Sequence, residues 1–275
     1  MKLLLIFIAS LFLNSCHLEI ELNSTRSSVS ARNISSVGLL ISSYQVDFEK
    51  FHRQCLSFYG EDICDNRQLA LTIKTINQQL AASFSSKSTA FSIRNEENLP
   101  IMITAGHVCN EFDSILGAVT QSMSAFVFGP LNQVSLEVKK TILVYDIFGN
   151  KYNVKNTIYS HPDKPDICLF NIDRPFPSSI EMSEENPVLG DRITNIAVPY
   201  GIFGNKTIPI FEGIYSGQKD INHHVYTITA GPGSSGSPVL LNGKLIGIIH
   251  SVDRRLQQIS YGTPLQIIRN TIELE

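Results

Sequence analysis

The chain has 275 residues, 43% of them hydrophobic and 17% charged, ordinary proportions for a globular protein and enough length for one large all-β domain or two small domains. Its net charge of -3 argues against a dedicated nucleic-acid surface.

Met1-Lys2 and the apolar run over 3–13 have the proportions of a secretory signal and are too short to span a bilayer, so they are set outside the fold. Leu13-Asn14-Ser15-Cys16 resembles a bacterial lipobox, although Asn14 departs from the small or apolar residue usual there. Lipidation of Cys16 and simple secretion with cleavage nearby stand as even alternatives, and both put the rest of the chain outside the cytoplasm. Its expected address is the periplasm, the cell surface as a lipoprotein, or the medium, with a lipid on Cys16 as the one expected link to a membrane. With Cys16 set aside, Cys55, Cys64, Cys109 and Cys168 form an even set, which fits an oxidising compartment. Cys55 and Cys64 are the nearest pair, and closing that short loop would stabilise the fold by about 2–3 kcal/mol.

Residues 17–43 are rich in Ser, Asn and Thr with little periodicity and read as a flexible tether. Over 44–84, Phe48, Phe51, Cys55 and Phe58 recur at helical spacing, as do Leu69, Ile73, Ile76 and Leu80 after Asp65-Asn66. The spacing predicts two short helices forming a structural N-terminal decoration. A removable pro-segment is the alternative.

The remaining chain, 85–275, reads as evenly spaced short strands divided near Pro175-Phe176-Pro177 into segments of about 85–175 and 185–275. In the first, Ser88-Thr89-Ala90-Phe91-Ser92-Ile93 and Leu99-Pro100-Ile101-Met102-Ile103-Thr104 flank a polar turn at 94–98. The second of these runs on into Ala105-Gly106-His107, presenting one histidine past a strand end. Residues 110–132 read as a surface insertion, and strands are expected over 133–145, 151–159 and 167–172. Pro165-Asp166-Ile167-Cys168-Leu169-Phe170 presents an aspartate at the opening of the last of them.

In the second segment strands are expected over 192–198, 207–215, 225–229, 239–241 and 245–251. Gly231-Pro232-Gly233-Ser234-Ser235-Gly236-Ser237-Pro238 is a tight loop whose small residues let backbone N–H groups converge. A serine held there with two inward N–H groups would have both a nucleophile and an oxyanion hole. Thr263-Pro264 opens a helix carrying Leu265, Ile268 and Ile272 on one face.

Together, T-A-G-H at 104–107, the aspartate-led strand at 166 and G-S-S-G-S-P at 233–238 resemble the motifs of the chymotrypsin-fold, trypsin-like (S1-type) serine peptidases. The resemblance runs from about residue 88 to the C-terminus. Its S-G-S-P variant is more similar to the bacterial HtrA/Deg proteases and glutamyl endopeptidases than to the animal enzymes. The resemblance implies an all-β fold of two six-stranded antiparallel β-barrels with the active site between them, here with an N-terminal helical extension and a C-terminal helix. It implies His107 as base, Asp166 as its orienting partner, Ser235 as nucleophile, and the N–H groups of Gly233 and Ser235 as oxyanion hole. Ser234 and Asp163 are rivals that fit the motifs less well, and His161, His223 and His224 read as surface histidines. Ser234 stands where zymogen-activated members carry an aspartate, so that switch is not expected.

The same resemblance lines the substrate pocket with Thr229, Ala230 and the strand at 248–251. No acid stands near Thr229 and Ala230, which disfavours a preference for basic side chains. His250 lies near the place where glutamyl endopeptidases hold a histidine, but is offset by one residue from Gly247; a small or apolar preference ranks above an acidic one. Cys109 follows the histidine by two positions and Cys168 follows the aspartate by two, so a second disulfide competes with two buried free thiols, the reading favoured here. The implied function is an exported serine endopeptidase acting on protein or peptide substrates through an acyl-enzyme, with no metal or cofactor. A catalytically inactive relative serving as a surface binding module is the alternative. An α/β-hydrolase is disfavoured because Ser237 stands where that elbow needs glycine and about forty residues follow Ser235.

Overall fold

The computed structural model describes residues 29–65, 67–94, 100–110, 138–161, 165–204 and 206–273. The signal segment with Cys16, the tether as far as residue 28, the turn at 95–98, the insertion from 111 to 132 and Asp163 lie outside these residues.

Twelve strands close into two six-stranded antiparallel barrels. The first comprises β1 (Val37–Val46), β2 (Ser86–Arg94), β3 (Pro100–Thr104), β4 (Val138–Tyr145), β5 (Lys151–His161) and β6 (Ile167–Ile172), in the order β1-β2-β3-β6-β5-β4. The second comprises β7 (Arg192–Ile196), β8 (Ile210–Asp220), β9 (His223–Tyr226), β10 (Pro238–Leu241), β11 (Lys244–Val252) and β12 (Ser260–Pro264), in the order β10-β11-β12-β9-β8-β7. Closure removes the free edges that an open sheet would leave.

Each barrel has its own apolar filling, led by Leu40, Met102, Val144 and Phe170 in the first and by Ile193, Tyr226, Val239 and Ile246 in the second. A further cluster crosses the seam. It joins Val37, Phe91, Ile103 and Leu169 to Ile196, Leu240 and Ile248, and is covered by Leu265 and Ile268 of a C-terminal helix, Leu265–Glu273. Residues from Ser88 to Ile93 are therefore buried on both faces of β2, one facing its own barrel and the other the seam.

Helices lie ahead of and between the first strands: α1 (Ala31–Ser35), α2 (Phe48–Tyr59), α3 (Glu61–Cys64) and α4 (Arg67–Phe84). Asp47 caps α2 by accepting from the Lys50 N–H, and Gly60, at φ 78°, ends it. Phe51, Ile73, Ile76 and Leu80 pack with Val46 and Val138, so this unit rests on the outside of the first barrel. Cys55 and Cys64 are bridged within it. Among the described residues no helix is long and apolar enough to cross a membrane.

Three features differ from the sequence reading. The stretch expected to end a flexible tether is β1, paired with β2 from Val37↔Phe91 and with β4 from Leu39↔Tyr145 to Val46↔Val138. The helices are thus inserted between two staves of the barrel. Serine misleads here: Ser36 and Ser42 are fully buried, Ser42 sharing a 2.7 Å hydrogen bond with Ser86. Secondly, residues 260–264 are a strand that the sequence reading did not assign, Thr263-Pro264 ending that strand immediately ahead of the helix they were expected to open. Gly262 is required in this strand because a Cβ would run into the Ile248 carbonyl. Thirdly, Cys109 and Cys168 are bridged, with Cα atoms 6.3 Å apart, in place of the free thiols favoured from sequence.

Candidate active site

β3 ends at Thr104, Ala105 is buried, and one helical turn, α5 (Gly106–Asn110), presents His107. Asp166 lies just ahead of β6, which pairs with β3 through Ile103↔Leu169 and Thr104↔Cys168. That register brings the two side chains together. Asp166 accepts the His107 backbone N–H through Oδ1 at 2.8 Å, and its Oδ2 stands 2.8 Å from His107 Nδ1. A carboxylate can only accept, so Nδ1 carries the proton and Nε2 is left basic. The Cys109–Cys168 bridge clamps the same two segments, and Asp166 is largely sheltered, at 13% side-chain exposure against 37% for His107.

The loop over 231–238 is held from both barrels. Within it, Ser234 N–H donates to the Gly231 carbonyl at 2.9 Å, Gly231 N–H to Ser234 Oγ at 3.2 Å, and Ser237 N–H to the Ser234 carbonyl at 3.0 Å. From its own barrel, the Ile249 carbonyl accepts Gly236 N–H at 2.7 Å, and Asn195 Nδ2 donates to Ser237 Oγ at 2.7 Å. From the first barrel comes Thr89, fully buried on β2. Its N–H donates to the Ser235 carbonyl at 3.0 Å and its Oγ1 to the Gly233 carbonyl at 2.7 Å, while Oγ1 also accepts Val198 N–H at 3.0 Å. Gly233 and Gly236 have φ of 97° and 83°. A Cβ on Gly233 would strike the Val198 carbonyl, and one on Gly236 would strike Thr104 Oγ1 and the Thr89 carbonyl. Both positions therefore demand glycine.

With the carbonyls of the loop so engaged, the N–H groups of Gly233 and Ser235 have no acceptor among the described residues. Ser235 Oγ donates to the His250 carbonyl at 3.5 Å, a weak bond that leaves the hydroxyl able to rotate. A fixed-tautomer imidazole, a hydroxyl in a tight loop and two unengaged N–H groups are the components that acyl transfer uses. Among the described residues, no group of three His, Cys, Asp or Glu is placed to hold a metal ion.

Of the residues expected in the substrate pocket, Thr229 is exposed and Ala230 is buried with Tyr215, Tyr226 and Ile249. His250 lies against Asp166, with Nδ1 3.9 Å from Oδ2, and burial pushes it down to about 4 although the Asp166 carboxylate pulls the other way. His224, expected at the surface, is buried beside Tyr215 and Tyr226, and burial lowers it to about 4 as well. The sequence reading missed Thr89 as a loop anchor. It saw Thr89 only as one residue of an apolar strand, and no local signal marks a contact made 144 residues away.

A family model described as "Trypsin-like peptidase domain" matches residues 88–248. Among solved structures, a serine endoprotease from Yersinia pestis aligns over 88% of this chain and 63% of its own length, at 16% identity and a TM-score of 0.54. The active form of the Rv3671c protease from M. tuberculosis aligns over 88% of this chain and 81% of its own, at 13% identity and a TM-score of 0.53. A serine-to-alanine variant of that protease in an inactive form aligns over 90% and 89%, at 13% identity and a TM-score of 0.52. This chain thus spans 63% of the length of the Yersinia protein, and at these identities the likeness is one of fold. A search of curated protein sequences finds no match.

Proposed function

Because the chain belongs to the trypsin-like peptidase family, whose matched segment takes in His107, Asp166 and Ser235, we propose that it is an exported serine endopeptidase working through those three residues. The two-bond pairing of His107 with Asp166, ahead of a serine loop braced by Thr89, is the observation that carries this reading. An unassisted serine hydroxyl is a poor nucleophile at neutral pH. His107 Nε2 takes the Ser235 proton as Oγ attacks the scissile carbonyl, and Asp166 stabilises the imidazolium that forms. The Gly233 and Ser235 N–H groups stabilise the tetrahedral oxyanion, each worth about 3–4 kcal/mol in comparable sites. His107 then returns the proton to the leaving amine, and a water activated by the same imidazole releases the acyl-enzyme. Export rests on the apolar N-terminal run, with two disulfides as support.

A fluorophosphonate probe, which phosphonylates only a base-activated serine, tests the reading on the full chain. Labelling is expected in the wild type and absent in Ser235→Ala and His107→Ala, while Asp166→Asn should slow it by about four orders of magnitude because the wrong tautomer is held. The rival reading, an inactive binding module, has the bond from Ser235 Oγ to the His250 carbonyl as its observation. A folded wild type that takes no label would favour it.

A further inference from the structure

His250 occupies an irregularity in β11. Ile249 pairs with Gly262 and Ser251 with Tyr261, leaving His250 as the one extra residue of a β-bulge. Bulges re-aim side chains. Here the ring, at 8% side-chain exposure, is turned onto the Asp166 carboxylate, while the carbonyl of the same residue meets Ser235 Oγ. On its other side the ring meets that of His223 edge-on, at 5.2 Å between centroids, and His223 Nδ1 is held 2.7 Å from Asp220 Oδ1. A single line of polar groups therefore runs Asp220, His223, His250, Asp166, His107. The proposed mechanism uses only its last two members.

We propose that His250 is a positioning residue of the His107–Asp166 pair: its Nδ1–H points at Asp166 Oδ2 and shares the carboxylate charge that His107 would otherwise have to itself. This rests on the reading of His107, Asp166 and Ser235 as a catalytic triad. Oδ2 is the oxygen that already faces His107 Nδ1 at 2.8 Å, so both imidazoles face one oxygen, His107 at hydrogen-bond distance and His250 at 3.9 Å, an electrostatic approach longer than a hydrogen bond. Burial, which keeps His250 neutral down to about pH 4, leaves one ring proton to place, and the carboxylate neighbour favours it on Nδ1. Diluting the Asp166 charge makes His107 a weaker base, ready at lower pH.

The titratable groups facing His250 are Asp166 ahead of β6, His107 in α5, and His223 with Asp220 from the β8–β9 hairpin. Around the same recess stand Lys219 on β8, Asp253, Arg254 and Arg255 beyond β11, and Tyr261 on β12. These rim charges are the same in all the variants compared below, so a change confined to His250 variants reports the buried contact.

The test is the pH dependence of the fluorophosphonate labelling rate of the full chain, whose acid limb reports protonation of the base. With His250→Phe the acid limb should move to higher pH by about half a unit to one unit, and the plateau rate should fall about tenfold. His250→Asn, which keeps an N–H donor, should return the limb to within about 0.3 unit of wild type. An acid limb unmoved in His250→Phe overturns the proposal even if the plateau falls, since lost packing alone would lower the rate at every pH. Failure of Asn to restore the limb overturns it equally. Should His250→Phe not fold, nitrogen chemical shifts of the wild-type histidine rings decide the matter: the Nδ1–H tautomer at His250 is expected, and the Nε2–H tautomer rules the contact out. Loss of the triad reading shows differently, as a folded wild type that takes no label or as labelling that survives Ser235→Ala.

Discussion

At the scale of single residues, burial makes the same demand of His224 as of His250, holding each neutral well below the ordinary histidine range. His224 sits between aromatic rings, with Nδ1 3.3 Å from the Tyr226 hydroxyl, and burial lowers it to about 4 from its ordinary 6.5. A lowered histidine binds fewer protons folded than unfolded between those two values. Its neutral burial is therefore fully tolerated above pH 6.5 and opposes folding increasingly as pH falls toward 4. We expect the urea midpoint to drop between pH 7 and pH 4.5, with His224 contributing on the order of 1–2 kcal/mol after discounting for solvent access. His224→Phe should flatten that dependence, and an unchanged slope in the variant would show that the acid sensitivity lies elsewhere. From sequence alone His224 was one of two adjacent histidines with nothing to tell them apart. The strand alternation that buries His224 and turns His223 toward His250 depends on where the β8–β9 turn falls.

At the scale of elements, what was legible and what was not divides along chemistry. Strands dense in Ile, Val, Leu and Phe, such as β3, β6 and β11, announced themselves, and so did the segments bearing His107, Asp166 and Ser235, because their residue types are tied to their chemistry. β1 and β12 did not. Both carry serine or glycine at positions that the barrel buries, so their polarity reads as loop until their partners are known: Ser42 bonds Ser86, and Ser260 Oγ donates to the Ile228 carbonyl at 2.6 Å. Cys109 and Cys168 were legible as a candidate pair but not as a bridge, since only the β3–β6 register sets them side by side. Their bridge closes a separation of 59 residues, worth up to about 4 kcal/mol by the chain-entropy argument, against about 2–3 kcal/mol for the nine-residue separation of Cys55 and Cys64. The double variant Cys109→Ser, Cys168→Ser should therefore lose more stability in urea than Cys55→Ser, Cys64→Ser. Because it also frees α5 from β6, it should slow fluorophosphonate labelling, whereas the other pair should not; equal labelling in both would show that the barrel alone holds His107 on Asp166.

At the scale of the whole molecule, placing α2, α3 and α4 between β1 and β2 changes what the N-terminal third is. A segment lying ahead of a finished domain could be discarded. One whose first ten-residue strand closes the first barrel against β4 cannot. A chain beginning at residue 29 should fold and label, and one beginning at residue 47, which keeps every residue named in the proposed mechanism but lacks β1, should do neither. Circular dichroism and labelling of the two chains check this, and activity in the shorter one would show the barrel able to close without that stave. The bracing of the serine loop by Thr89 carries a different consequence, one of timing. Thr89, in the other half of the molecule, holds the Gly233 carbonyl through its side chain and the Ser235 carbonyl through its backbone N–H, so under the proposed function neither half alone holds the cutting apparatus. Under the proposed function, a newly made chain, with its first barrel formed and its second still incomplete, would be harmless to its surroundings and to itself. If Ser235 cleaves as proposed, the chain would gain that power only at the moment the halves dock, when it has least exposed chain left to offer as a target.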